Sequence, residues 1–107
     1  MLPKELKLDP KEIQRISRFG KKFSNDFFDI RVWFDDSLKN SEYAISISTK
    51  VDKRATVRNR IKRTIRSAIV SISSKNPKNA KYLIIVKNPA LAEMKSGQIE
   101  EILTKII

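Results

Sequence analysis

The sequence has 107 residues, 40% of them apolar, with 23 Lys and Arg against 12 Asp and Glu for a net charge of +11. A chain of this length is expected to form a single domain over residues 1–107 with one modest core. It contains no cysteine and no histidine, which excludes disulfides, thiolate and imidazole metal sites, and the commonest general base. No apolar run approaches the roughly 18 residues of a membrane span. The opening MLPKELKLDPKE lacks the apolar centre of a signal peptide, so a cytoplasmic protein is expected.

Residues 8–20 carry a complete set of helix signals. Asp9 is placed to cap, Pro10 occupies the first helical position, and Glu12 stands three residues after the cap as in a capping box. Leu8 and Ile13 are spaced as a hydrophobic staple and Gly20 supplies a stop. Ile13, Ile16 and Phe19 would face inward, with Lys11, Arg15 and Arg18 outward. Residues 27–34 read FFDIRVWF, a strand with Phe28, Ile30, Val32 and Phe34 on one side and Phe27, Asp29, Arg31 and Trp33 on the other. The second side alternates aromatics with an arginine, which suits stacking on unpaired bases, or packing under a helix.

After a polar turn at residues 35–42, YAISIST at 43–49 alternates again, and the two strands are expected to pair as a hairpin. From Lys50 to Arg66 there are eight Lys or Arg (Lys50, Lys53, Arg54, Arg58, Arg60, Lys62, Arg63 and Arg66) against Asp52 alone. At 3.6 residues per turn, Val57, Ile61, Ile65, Ala68, Ile69 and Ile72 form one stripe. Asn59, Arg60, Lys62, Arg63 and Arg66 gather opposite, and Thr56 is a plausible cap. Cations crowded at a helix start oppose the macrodipole, a cost that a bound phosphate would offset. A polyanionic partner follows, RNA or DNA.

A Ser, Lys, Asn and Pro-rich loop leads into YLIIV at 82–86, the pattern of a strand covered on both faces, reached by a crossover through the basic helix. Pro89 breaks the chain, and Ser96 or Gly97 begins a last helix with Ile99, Ile102, Leu103 and Ile106 inward. The elements read α, β, β, α, β, α, with a further short strand possible. There is no Gly-rich phosphate loop and no nucleophile with its base. The pairs Asp35 with Asp36 and Glu100 with Glu101 suit solvated acids better than a Mg²⁺ site. No catalytic residue and no protein metal site is expected.

The run Arg58-Asn59-Arg60-Ile61-Lys62-Arg63-Thr64-Ile65-Arg66, soon after Ile-Ser-Thr-Lys at 47–50, resembles the signature of the bacterial ribonuclease P protein subunit. The LPKELKL opening, the helix ending at Gly20, the aromatic strand, YLIIV followed by Lys87-Asn88-Pro89, and the terminal helix agree in order and spacing. The resemblance implies an α+β fold, a single-domain α/β sandwich in the order αββ(β)αβα with a left-handed βαβ crossover, an exception to the usual hand. It implies a protein that binds the catalytic RNA and the 5′ leader of precursor tRNA, while the RNA and its Mg²⁺ carry out endonucleolytic removal of the leader. On this resemblance Arg58, Asn59, Arg60, Lys62, Arg63 and Arg66, with Lys50, Lys53 and Arg54 beside them, would face the catalytic RNA.

A cleft between the first helix and the sheet would hold the leader, drawing on Ile13, Ser17, Phe19, Phe28, Arg31 and Trp33. The chain departs from the family where Ile13 and Ser17 replace usual aromatics, with Phe19 or Phe23 available to stand in. It departs again at Asp52, where glycine is common, and at Ser67, where glutamate is frequent. The alternative is a general RNA-binding or ribosomal protein using the same cationic helix. A DNA regulator would need a helix before Val57, and residues 27–49 read as strands, so no DNA or membrane partner is expected.

Overall fold

The computed structural model describes residue 2, residues 6–75 and residues 79–106, with the side chain of Ile106 left out. Helix α1 spans Pro10–Phe19. The Asp9 carboxylate accepts the Lys11 N–H at 3.0 Å, satisfying one of the unpaired amides of the first turn. The capping box is not reciprocal, because Glu12 reaches Lys81 Nζ at 3.2 Å and Arg15 at 3.5 Å. Leu8, Ile13 and Ile16 pack with Leu83 and Trp33 beneath the helix, as the staple spacing requires.

Four strands follow, β1 (Lys21–Ser24), β2 (Phe28–Phe34), β3 (Glu42–Ser46) and β4 (Ala80–Val86). Their order in the sheet is β1-β2-β4-β3, with β3 parallel to β4 and the other pairs antiparallel. The optional short strand is therefore β1, and the expected β2–β3 hairpin does not form. The reason lies in β4: Tyr82, Ile84 and Val86 enter the main core while Leu83 packs under α1. A strand apolar on both faces belongs between two others. The loop from β2 to β3 crosses the start of β4 and is tied to it: Asp35 N–H donates to the Asn79 carbonyl at 3.2 Å, Ala80 N–H to Ser41 Oγ at 3.3 Å, and the Asn79 amide to the Leu38 carbonyl.

The Asn25 side chain accepts the N–H groups of Phe27 at 2.8 Å and Phe28 at 2.7 Å. This turn interrupts the alternation, so Phe27 packs against the main core instead of sharing a face with Trp33. Helix α2 spans Ala55–Ser73, and Val57, Ile61, Ile65, Ala68, Ile69 and Ile72 are all buried. It begins earlier than the Thr56 cap would place it; Arg54 is the N-cap, and its side chain makes no capping bond to the helix amides. Tyr43 and Tyr82 stack beneath it with ring centroids 5.2 Å apart. Asn88 caps a 3-10 turn at Pro89–Glu93 that buries Leu91, an element the pattern does not announce. Helix α3 (Ser96–Ile106) closes the core through Ile99 and Leu103. The described residues form a mixed α+β single domain of three α-helices and a four-stranded sheet.

Candidate RNA-binding surfaces

Burying the isoleucine stripe of α2 turns its polar arc to solvent. Asn59, Arg60 and Arg63 are exposed, Lys62 and Arg66 half-buried, and Lys50 and Lys53 exposed in the connection before the helix. Among the described residues, Arg60, Lys62, Arg63 and Arg66 have no ion pair or side-chain hydrogen bond, and the first turn of α2 holds no acid. Arg54 and Arg58 differ. Arg54 grips Asp52 through Nε at 3.1 Å and Nη2 at 3.0 Å, and Arg58 Nη1 donates to the carbonyls of Asp52 at 2.9 Å and Lys53 at 2.8 Å. These two guanidiniums order the corner that leads into the helix, while the others are free to meet phosphates.

The Arg54 hydrogen bonds, with the charges of Arg54 and Arg58, hold the Asp52 carboxyl below its ordinary value. A depressed carboxylate contributes its interaction fully above the ordinary aspartate value near 3.9 and loses it as the pH falls through the folded value. Carboxyl-detected NMR should therefore show Asp52 titrating below that value, and Arg54→Ala should return it upward. An unchanged titration in that variant would contradict the assignment.

The opposite face of the sheet carries Asp29, Arg31 and Trp33 of β2, Lys81, Leu83 and Ile85 of β4, and Ala44 and Ser46 of β3. Helix α1 lies across it and leaves Ser46 exposed and Arg31, Ile85 and Ala44 half-buried, a cleft with one helical wall. Arg31 Nε is buried there with no hydrogen-bond partner among the described residues. Asp29 accepts from Ser24 Oγ at 2.7 Å, and that bond above all, with Lys87 and Arg31 nearby, outweighs partial desolvation and lowers its pKa.

Of the residues expected in this cleft, Ile13 packs with Ala44 and Ile85 of the sheet face, Arg31 is half-buried on the same face, and Ser17, one turn after Ile13, is exposed at that edge of α1, the cleft lip. Trp33 is under α1 with the Arg15 guanidinium 4.5 Å over its ring, so that face is already covered. Phe28 is wholly buried on the other side of the sheet, because alternation sends it with Ile30 and Val32 into the main core. Phe19 is 68% exposed on the outside of α1, and Phe23 packs toward the main core. Neither ring lies in the cleft. The network Lys81, Glu12, Arg15 and Trp33 has no signal in the sequence, because it depends on β4 lying next to β2. Among the described residues no three carboxylates come together as a metal cage, and no helix is long and apolar enough to cross a membrane.

A profile of the Ribonuclease P family matches residues 2–107. The ribonuclease P protein component of Rippkaea orientalis is 37% identical over 91 residues, covering 80% of this chain and 72% of its own. That of Rickettsia felis is 33% identical over 105 residues, covering 91% and 89%. Among solved structures, a Staphylococcus aureus RNase P protein mutant superposes with a TM-score of 0.80 at 25% identity, covering 95% of this chain and 85% of that one. The Thermotoga maritima RNase P protein shares the fold, with a TM-score of 0.79 at 21% identity over 94% and 93% of the two chains. With the Arg58 to Arg66 run intact and unpaired cations along it, this chain belongs to the ribonuclease P protein family, as a protein subunit of the ribonuclease of tRNA 5′ processing.

Proposed function

We propose that α2 docks its free cations on the folded catalytic RNA while the cleft under α1 holds the single-stranded leader of precursor tRNA. Family membership carries association with the ribonuclease P RNA; the division of labour between the two surfaces is our reading. The observation that carries it is the split of α2, whose isoleucine edge is sealed into the core while Arg60 and Arg63 stand exposed and unpaired. Guanidiniums held at fixed spacing on a rigid helix meet successive phosphates without ordering cost. In the cleft, the half-buried Arg31 offers a cationic side chain to a backbone phosphate, and the half-buried Ile85 and Ala44 offer apolar surface to bases.

On this reading the protein is a non-catalytic subunit in the cytoplasm that positions RNA. Mg²⁺ would be held mainly by the RNA partner, where it serves the RNA's own chemistry on the phosphodiester. Reconstitution tests the whole reading. Protein alone should leave precursor tRNA uncut, and adding it to the cognate RNA at low Mg²⁺ should restore cleavage beyond what spermidine achieves. Cleavage by the protein without RNA would refute the non-catalytic role. A stimulation no greater than that of spermidine would leave a general RNA-binding protein.

A further inference from the structure

We propose that the outer face of α1 is a second track for single-stranded RNA, carrying leader nucleotides upstream of those in the cleft. The proposal rests on the reading of the cleft as the leader site. Helix α1 presents two faces. Ile13 and Ile16 face the sheet, while at about 100° per residue the exposed side chains run in the order Ser17, Gln14, Arg18, Lys11, Arg15 and Phe19 around the other side. The arc thus begins at the cleft lip and ends on the opposite flank of the helix. Lys11, Gln14, Arg15, Arg18 and Phe19 together line a shallow surface depression.

Its chemistry selects the occupant. Lys11 and Arg18 have no ion pair among the described residues, and Lys21 and Lys22 follow, both exposed. The one acid of the helix, Glu12, is already held by Lys81 at 3.2 Å and Arg15 at 3.5 Å. A polyanion is therefore the complementary partner. Phe19, 68% exposed among these cations, offers an open ring to a base. A duplex keeps its bases stacked on one another, whereas an unpaired strand can lay one on an aromatic ring and its phosphates on the flanking cations. Arg15 extends the platform, since its guanidinium stacks on Trp33 on one side while its side chain stays 51% exposed. A strand leaving the cleft at Ser17 meets this path directly.

The test compares two precursor tRNAs, one with a leader that only fills the cleft and one extended by several unpaired nucleotides, cleaved by the reconstituted particle. The wild type should favour the longer leader. Phe19→Ala and Arg18→Glu should each reduce the ratio of kcat/KM for long over short leaders by roughly fivefold or more, the size of one lost base stack, and Phe19→Trp should preserve it. An unchanged ratio would overturn the proposal, as would an equal loss on both substrates or a loss of affinity for the catalytic RNA alone. Arg31→Ala in the same assay tests the cleft separately, because it should weaken both substrates; a neutral result there would count against the cleft and not against the outer track.

Discussion

Reversing Arg60 and Arg63 together, as Arg60→Glu and Arg63→Glu, should lower affinity for the catalytic RNA about 100-fold near physiological salt without weakening the fold. Each phosphate contact that releases a counterion contributes a salt slope of roughly 0.7 to 0.9, equivalent to about four- to fivefold in affinity at 0.15 M salt. Two lost contacts thus account for about 20-fold, and repulsion between the new carboxylates and the backbone supplies a further factor of about five. The salt slope should fall by roughly 1.5 at the same time. Neither guanidinium is paired with a described acid, so no native interaction is broken. Arg63 lies three residues before Arg66 on the helix, so reversal there turns a like-charge pair into an opposite one and should raise stability by about 0.2 to 0.5 kcal/mol. Filter binding across a salt series, with urea melts alongside, would check both halves. Affinity within threefold of wild type would remove α2 as the RNA-facing element.

The expectations that held are those set by contacts within a few residues. The Asp9 and Pro10 start of α1, the Ile61, Ile65 and Ile69 stripe of α2 and the two-sided apolar run of β4 all follow from period and capping, so the solvent-facing cations of α2 were legible as a group. What was not legible depends on partners distant in the chain. Alternation puts Phe28 and Trp33 of one strand on opposite faces, but which face α1 would cover, and that Arg15 would lie over Trp33, depends on β4 lying beside β2. Arg54 illustrates a nearer limit. Its charge counted toward the cationic run, but Asp52 two residues earlier accepts its whole fork, and nothing in composition separates a guanidinium that is spent from one that is free. The β2–β3 hairpin failed for the same reason: adjacency in sequence favoured it, and the covering of both faces of β4 outweighed it.

Gly20→Ala should destabilise the protein by about 2 to 3 kcal/mol, seen as a fall of about 1 M or more in the urea midpoint. Backbone geometry alone argues the reverse. Gly20 has φ −67° and ψ 154°, which alanine adopts freely, and such replacements usually stabilise by about 0.4 to 1 kcal/mol by restricting the unfolded chain. The decisive fact is proximity. A Cβ built on Gly20 would lie 2.5 Å from the Ile16 carbonyl oxygen, 3.2 Å from that of Val32 and 3.3 Å from Ile16 Cγ2. Two of these neighbours are backbone and cannot rotate away, and Gly20 N–H already donates to the Ile16 carbonyl at 2.9 Å to end the helix. Relief requires α1 to lift from β2, which loosens the packing of Ile16 and Leu83 beneath it and widens the cleft that α1 walls. Leader affinity should then fall along with stability, while binding of the catalytic RNA through α2 persists at temperatures where the fold survives. A variant more stable than the wild type would show that conformational freedom, and not the close approach of α1 to the sheet, is what this glycine provides.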